Sequence, residues 1–234
     1  MCRLRQDEWR LGLGCKTTGK TLVCNWIMTT EKKIQLVMGK RGSGKSVLTK
    51  FLIRNVNRLV VYDIMTEYVE GVTFDDIERQ RLAVFWALVY KQDFRIVYRP
   101  MQPKEEIEWI AEAVFALGDL TFVVEEIDSI CTPFDIPLPM QAIIQRGRHK
   151  NVEMIGVTPA PFGIHRDLTR QAKDIFVFKT TEPRDVQYLQ RLLGSRIEHK
   201  LAALEQYEFI HWSDGVENVR VGKVQDGKEI VYRA

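Results

Sequence analysis

Short hydrophobic runs alternate along the chain with segments in which apolar residues recur every three or four positions. The runs are typical of buried strands and lie at residues 34–38, 58–63, 94–99, 120–124, 152–157 and 174–179. The segments with helical spacing lie at residues 47–56, 77–89, 104–117, 139–149 and 181–193. Because strands that alternate with helices form mainly parallel sheets covered by helices, this order predicts an α/β domain.

The last part of the chain has shorter runs. They predict a helix over residues 197–207 and strands over 208–212, 216–224 and 229–232. Asp226 and Gly227 separate the last two strands, and this residue pair favours the turn of a β-hairpin. A small antiparallel hairpin is therefore expected at the carboxyl end of the sheet. Farther upstream, residues 73–76 are expected to begin the helix at 77–89.

The first strand–helix junction carries a glycine-rich phosphate-binding motif, GKRGSGKS, at residues 39–46. Glycines let the backbone wrap phosphate groups, and the N–H groups of the loop and of the helix start supply a fixed positive field. Lys45 is expected to reach the β- and γ-phosphates of ATP, and the Ser46 hydroxyl to ligate Mg²⁺. The predicted nucleotide-binding residues are Gly39, Lys40, Arg41, Gly42, Ser43, Gly44, Lys45, Ser46 and Val47.

A second match to the same motif, GCKTTGKT at residues 14–21, lacks this setting. The run before it is too short for a buried strand, and residues 22–28 are β-branched and aromatic rather than helical. No working site is expected there. Because Met28 offers another start, residues 1–27 are predicted to be an N-terminal extension, either disordered or added by a mis-called start. Residues 28–234 are then the working domain.

Two adjacent carboxylates, Glu125 and Glu126, follow the strand at residues 120–124. In a phosphate-loop ATPase the first carboxylate supports Mg²⁺, and the second polarises the attacking water as a general base. The alternative is that the pair only begins a solvated loop. The pair stands about 80 residues after the phosphate loop, the setting of an ATPase site, so the catalytic interpretation is favoured.

The composition of the chain mainly excludes certain classes of protein and of site. No apolar stretch of the 234 residues approaches the roughly 20 needed to cross a bilayer, and charged residues replace the apolar run of a signal peptide. The net charge of +3 allows a local nucleic-acid surface rather than a basic fold. A zinc site is disfavoured, because no CxxC or HxxxH spacing occurs among the cysteines and histidines. Few, scattered cysteines in a chain with a large core indicate a reducing, cytoplasmic compartment. The cysteines are Cys2, Cys15, Cys24 and Cys131.

Together, several segments resemble the FtsK–HerA superfamily of DNA-translocating ATPases over about residues 33–195. They are GKRGSGKS, LVVYDIMTEY, FVVEEID, RGRHKNVEMIGVT and DIFVFKTTEPRDVQYLQRLLG. The resemblance implies a RecA-like (ASCE) P-loop NTPase fold, the cofactors ATP and Mg²⁺, double-stranded DNA as substrate, and a homomeric ring of five or six copies. In size the chain is similar to the stand-alone genome-packaging ATPases of bacterial and archaeal viruses.

The resemblance also implies roles for single residues. Lys45 and Ser46 bind phosphate and Mg²⁺, Glu125 supports the metal, and Glu126 is the catalytic base. Arg148, with Arg146 as the second choice, matches the arginine that one subunit offers to the γ-phosphate of its neighbour. A guanidinium neutralises the charge on the transferring phosphoryl oxygens. The alternative is that both are ordinary cations at the end of a helix.

One segment departs from the family pattern. Where the family usually has Thr-Gln-Arg-Pro, this chain has TPAP at residues 158–161. Pro159 lacks the side-chain donor that Gln would offer to water or the γ-phosphate, so slower hydrolysis is expected unless Thr158 covers part of that role.

The expected function is that of an ATP-driven translocase of double-stranded DNA, most similar to a viral genome-packaging motor in the host cytoplasm or on the virion. Expected partners are DNA, further copies of the chain, and capsid-vertex or portal proteins. Arg79, Arg81, Arg166 and Arg170 are DNA-contact candidates, the alternative being ordinary solvated charges. Two other functions stay open: a cellular HerA-like translocase that acts with a nuclease, and a nucleotide-binding regulatory or structural subunit with little hydrolysis.

Overall fold

The computed structural model describes residues 13–18, 21–26, 33–75, 89–91, 93–214 and 219–233. The strands are β1 (Leu13–Thr18), β2 (Thr21–Trp26), β3 (Ile34–Met38), β4 (Arg58–Tyr62), β5 (Val72–Asp75), β6 (Phe94–Arg99), β7 (Leu120–Val124), β8 (Val152–Thr158), β9 (Ala172–Phe178), β10 (Glu208–Ser213), β11 (Arg220–Gln225) and β12 (Glu229–Arg233). The helices are α1 (Lys45–Ile53), α2 (Pro103–Leu117), α3 (Ile127–Ile130), α4 (Leu138–Arg146), α5 (Arg166–Gln171), α6 (Pro183–Leu193) and α7 (Ile197–Ala202).

The strands form one mixed sheet in the order β1-β2-β12-β11-β10-β9-β3-β8-β7-β4-β6-β5. The strands from β9 to β5 run parallel to one another, and the rest pair antiparallel. β8 lies between β3, which leads into the phosphate loop, and β7, which leads into the paired carboxylates. The carboxyl ends of these three strands therefore meet at one edge, where α/β sheets bind ligands. The predicted mainly parallel α/β fold is confirmed.

Helices cover both faces of the parallel strands. β3, β7 and β8 are buried at every position, as expected for central strands of a parallel sheet. One face packs against α2, α4 and α6 through side chains that include Ile107, Met140 and Leu189. The other packs against α1 through Leu48 and Phe51. This two-sided packing fixes the strand ends that carry the functional residues.

Residues near the outer parallel edge differ from the prediction. A helix start at residues 73–76 is wrong, because Val72–Asp75 is strand β5, which pairs in parallel with β6. Its β-branched and aromatic residues suit an extended backbone better than a helix. Residues 76–88 hold most of the helix predicted at 77–89 and the DNA-contact candidates Arg79 and Arg81. This part of the predicted helix and both arginines therefore lie outside the described residues.

The antiparallel end is larger than the small hairpin predicted. β11 and β12 pair through a turn at Asp226 and Gly227, whose φ values of 51° and 66° confirm the turn predicted there. β10 joins them to β9, and β12 continues the sheet to β2. The helix predicted over 197–207 ends at Ala202, because the chain turns there towards β10. Helix α5 had no counterpart in the sequence pattern.

The second phosphate-loop match falls within an antiparallel strand pair. Of the motif, residues 14–18 lie on β1 and Thr21 begins β2, and β2 pairs with β12. The described residues that directly follow the motif are a strand, β2, whereas the motif at residues 39–46 leads into helix α1. Parts of residues 1–27, predicted to be separate or disordered, thus extend the sheet, while the domain boundary at residue 27 stays a prediction. No helix in the described ranges is long and apolar enough to span a membrane.

Candidate nucleotide-binding site

The phosphate loop connects β3 to α1 in a glycine-dependent conformation. Gly39, Gly42 and Gly44 have φ values of 145°, 74° and 109°, which L side chains rarely adopt. A Cβ at residue 39 would lie 2.6 Å from Cβ of Phe178, so the loop packs tightly on β9. The Gly39 N–H donates to the Thr158 carbonyl over 3.1 Å, which fastens the loop to β8. The loop is therefore ordered by its own sequence and neighbours.

The start of α1 leaves donors available to an anion. The helix begins at Lys45 with Gly44 as its N-cap, and no side chain caps its first N–H groups. Such a helix start binds phosphate through backbone donors and the helix dipole. The Ser43 hydroxyl is buried and has no hydrogen-bond partner among the described residues. A buried donor without a partner costs free energy. The Ser43 hydroxyl in this loop is therefore suited to donate to a phosphate oxygen of a ligand.

A cleft of about 300 Å³ opens over the loop. Its walls include Lys45, Ser46, Glu125 and Glu126, so the structure brings together four residues that sequence reasoning assigned to ATP hydrolysis. Lys40 and Arg41 are exposed at the loop tip, and Arg41 also lines the cleft. The Lys45 ammonium donates to the Lys40 carbonyl over 3.2 Å, so this side chain lies back across the loop.

Glu125 is a buried carboxyl group at the end of β7. It is 4% exposed and accepts a hydrogen bond from the Tyr68 hydroxyl. Burial raises the pKa of Glu125 to about 7, although the Tyr68 hydrogen bond and the Lys45 charge act in the opposite direction. A nearby cation strongly stabilises the charged form of a carboxyl group in such surroundings. The position therefore suits support of Mg²⁺.

Glu126 lies beside it, half-buried, with a left-handed backbone (φ 49°). Non-glycine residues hold this conformation at some energetic cost, and such residues concentrate at functional sites. Burial, and then the charge of Asp128, raises the pKa of Glu126 above that of an ordinary glutamate. A carboxylate with a raised pKa is a better proton acceptor, so Glu126 suits the role of general base.

Sequence reasoning assigned no role to the loop after β4, yet this loop forms part of the site. Asp63 is fully buried and accepts hydrogen bonds from the backbone N–H groups of Glu67 and Tyr68 over 2.9 and 3.0 Å. This turn directs the Glu67 carboxylate to the Ser46 hydroxyl, which donates to it, and the Tyr68 hydroxyl to Glu125. The sequence feature that could have identified these residues is the Asp…Glu-Tyr spacing in LVVYDIMTEY.

The charges in the cleft favour a nucleotide with its metal. Burial lowers the pKa of Lys45, while Glu125, Glu126 and Glu67 oppose that shift. Within the described ranges no three His, Cys, Asp or Glu side chains are grouped to hold a metal by themselves. Mg²⁺ on a nucleotide needs only one or two protein ligands, because phosphate oxygens and water supply the others. Ser46 and Glu125 fit that smaller requirement.

Pro159 lines the cleft at the position where the family pattern has Gln. The neighbouring Thr158 is fully buried. Its hydroxyl lies 2.8 Å from Oδ1 of Asp128 and accepts from the Ala160 N–H over 3.0 Å. These bonds engage Thr158 within the protein, which weakens the expectation that it replaces the missing Gln.

Arg146 and Arg148 lie at the opposite edge of the sheet, between α4 and the amino end of β8. β8 has seven residues, so about 20 Å separates this edge from the cleft at ~3.3 Å per residue. The Arg146 guanidinium covers the Phe115 ring at 5.3 Å. Arg148 is exposed, and its side chain makes no hydrogen bond or ion pair with another described residue. Neither arginine reaches the cleft of its own chain.

Arg166 and Arg170 both lie on α5 and are exposed. Their exposure is compatible with contact to DNA and equally with solvated charges, so their role stays a prediction.

Solved structures share this fold. One is the genome packaging NTPase B204 from Sulfolobus turreted icosahedral virus 2 in complex with AMPPCP, with a TM-score of 0.69 and 16% identity over 84% of this chain and 100% of that chain. Another is B204, the DNA-packaging ATPase from Sulfolobus turreted icosahedral virus, with a TM-score of 0.67 and 14% identity over 84% and 100%. The pCW3 conjugation coupling protein TcpA with ATPγS has a TM-score of 0.54 and 11% identity over 95% and 65%.

No protein-family model matches the chain, and a search of curated proteins finds no match either. At identities this low, structural likeness shows the fold alone. The chain thus has the RecA-like P-loop NTPase fold that its resemblance to the FtsK–HerA superfamily predicts.

Proposed function

We propose that this protein is an ATP-driven translocase of double-stranded DNA that works as a homomeric ring and belongs to the class of genome-packaging motors. The observation that carries the proposal is the convergence of Lys45, Ser46, Glu125 and Glu126 on one cleft above an ordered phosphate loop. These are the groups that ATP hydrolysis requires.

The residues divide the work of hydrolysis among them. The loop N–H groups and Lys45 hold the phosphates, while Ser46 and Glu125 would hold Mg²⁺, which would supply positive charge against the negative charge of the phosphates. Glu126 takes a proton from a water molecule as the water oxygen attacks the γ-phosphorus. The bond from that phosphorus to the bridging oxygen breaks, and ADP leaves with phosphate.

The opposite edge of the sheet supports the ring. An arginine about 20 Å from its own cleft can act on ATP only in a neighbouring copy. Arg148 is exposed and unengaged, whereas Arg146 covers Phe115, so we assign the trans role to Arg148. A subunit that gives Arg148 to one neighbour and receives it from the other forms a head-to-tail interface, which closes into a ring.

DNA as the substrate is supported by the similar structures. Two of them are named as packaging proteins and one as a conjugation coupling protein, which are functions that handle DNA. The antiparallel strands after β9 extend the sheet sideways, beyond the parallel strands whose carboxyl ends carry the cleft. Switching of loops at this edge on hydrolysis would then move the DNA backbone.

Steady-state ATP hydrolysis with and without duplex DNA tests the proposal. We expect duplex DNA to stimulate turnover of the unaltered protein several-fold. Lys45→Ala should lower turnover by at least 100-fold, because it removes a cation that binds the transferring phosphates. Lys228→Ala, an equal loss of charge in the exposed β11–β12 turn, should leave turnover unchanged. Full DNA-stimulated turnover by Lys45→Ala would contradict the assignment.

Pro159 favours a second function, that of a nucleotide-binding regulatory subunit with little hydrolysis. Its ring lines the cleft where a Gln side chain could have oriented water. In this case ATP binds, but no turnover occurs with or without DNA. The same assay combined with a binding measurement therefore separates the two functions.

A further inference from the structure

One wall of the nucleotide cleft plays no part in phosphate chemistry. Val47 and Tyr207 both line it, and they are 54% and 48% exposed. Large apolar side chains left exposed inside a cleft mark the place where the apolar part of a ligand binds. The phosphates of a nucleotide occupy the loop, so this wall remains for its base.

Tyr207 is held in a fixed position before β10. Its backbone is left-handed, with φ of 65°, which is rare for an aromatic residue. The preceding turn is tied to the sheet, since Lys179 donates to the Leu204 carbonyl over 3.0 Å. Glu208 accepts from the Glu205 N–H over 2.8 Å and from Arg233 over 2.6 Å. A strained conformation held by several neighbours is typical of a functional position.

The Tyr207 ring lies directly against the phosphate loop. A Cβ at Gly44 would lie 3.2 Å from Cδ1 of Tyr207 and equally close to Cε1 of Phe178. Gly44 is the N-cap of α1, so the ring begins where the phosphate-binding helix begins. Val47 projects from the first turn of the same helix. A nucleotide with its phosphates on the loop thus has an aromatic ring and an aliphatic side chain within reach of its base.

We propose that Tyr207 is the base-stacking residue of this site and that Val47 contacts the base beside it. This inference rests on the proposed nucleotide-binding function and adds the subsite for the purine. The turn is anchored before the ligand arrives, so little conformational entropy is lost when the base stacks on the ring. Stacking of this kind is worth about 1–3 kcal/mol per base, or roughly 5- to 150-fold in affinity.

The proposal is tested by calorimetric titration in the presence of Mg²⁺, which compares the affinities of the protein for ATP and for inorganic tripolyphosphate. Tyr207→Ala should weaken ATP binding by about 5-fold or more, as should Tyr207→Asn, since Asn tolerates the left-handed backbone. Both should leave the affinity for tripolyphosphate within twofold of the unaltered protein, because that ligand has no base. Tyr207→Phe retains the ring and should bind ATP normally.

Equal weakening of ATP and tripolyphosphate by both Tyr207→Ala and Tyr207→Asn would show that Tyr207 only shapes the phosphate loop, and would overturn the proposal. So would normal ATP binding by the same variants. Either result leaves the proposed function standing if Lys45→Ala weakens both ligands. If Lys45→Ala binds both ligands normally, the nucleotide-binding function itself fails.

Discussion

At the scale of single residues, the cleft depends on a side chain that lies outside it. Asp63 is fully buried, and its two oxygens accept the N–H groups of the residues that touch Ser46 and Glu125. The Arg99 guanidinium lies 3.5 Å from the same carboxylate. One buried carboxylate thereby positions both Glu67 and Tyr68. Groups that orient a metal-binding carboxylate contribute to metal affinity even though they never contact the metal.

Removal of the Tyr68 hydroxyl should therefore weaken the metal-dependent part of nucleotide binding. We expect Tyr68→Phe to lower the affinity for ATP on the order of 10-fold in Mg²⁺ and to change little in EDTA. Tyr90→Phe removes the same atom from a tyrosine that is 82% exposed and should have no effect. Equal losses with and without Mg²⁺ would show that Tyr68 acts only on the fold.

Substitutions of the two adjacent glutamates should affect ATP binding and ATP hydrolysis differently. Glu126→Gln removes the general base but keeps the shape, so turnover should fall by about 10²–10⁴-fold while ATP still binds. Glu125→Gln should instead weaken binding only when Mg²⁺ is present. Turnover and equilibrium binding of ATP by the two variants check this. A Glu126→Gln protein with normal turnover would remove Glu126 from the mechanism.

Local spacing predicted Lys45, Ser46 and the glutamate pair, because each sits in a motif with its own strand and helix. Glu67, Tyr68 and Tyr207 come to the cleft from other strands. Their positions depend on the turn at Asp63 and on the start of β10, which are products of packing. No spacing rule links Tyr207 to Gly44, more than 160 residues away, so only the structure could connect them.

At the scale of elements, the junction between the parallel and antiparallel strands carries a buried polar network. Asp174 on β9 and His211 on β10 lie 2.8 Å apart, and Lys33 pairs with the same carboxylate. Tyr232 on β12 lies 2.7 Å from the other ring nitrogen of His211. Burial lowers the pKa of His211, so the neutral ring can donate to Asp174 and accept from Tyr232. The network joins three strands.

We expect this network to make stability depend on pH in acid. Burial alone would raise the pKa of Asp174, but the His211 hydrogen bond and the Lys33 charge outweigh it and hold the pKa at about 2. Since the unfolded value is higher, the stabilisation is complete above about pH 4 and is lost as the pH falls through 2. It amounts to on the order of 2 kcal/mol.

Urea unfolding of Asp174→Asn checks this expectation. The variant should be less stable than the unaltered protein at pH 7, and the difference should shrink between pH 4 and pH 2. Asp214→Asn, in the half-exposed pair with Lys173, should cost at most about 1 kcal/mol. A pH-independent difference for Asp174→Asn would mean that the carboxylate contributes through packing rather than through its charge.

Prediction of the elements from sequence succeeded where a segment decides its own structure. The central strands are continuous apolar runs, and Asp226-Gly227 fixes its own turn. The prediction failed at β5, because the strand form of these residues depends on pairing with β6. It also failed at the end of α7, where packing of the next strand stops the helix.

At the scale of the whole molecule, the cleft and Arg148 lie on opposite edges of the sheet, so catalysis should be shared between copies. Lys45→Ala and Arg148→Ala should each lower turnover by at least 100-fold when present alone. When both variants are co-expressed in one ring, some interfaces pair an intact cleft with an intact arginine. Random mixing should restore about a quarter of full turnover.

Absence of any restoration, with mixed assemblies present, would contradict the trans role of Arg148. Solution mass with and without ATP and DNA measures assembly independently. A monomer under every condition would exclude the ring.

Displacement of a third strand from a DNA triplex measures movement of the protein along DNA most directly. The unaltered protein should release the third strand when ATP is present. Glu126→Gln should release it at least about 100-fold more slowly, because this variant binds ATP but hydrolyses it that much more slowly. Release should also require duplex DNA beside the triplex on which a ring can load. ATP hydrolysis without any strand release would contradict translocation.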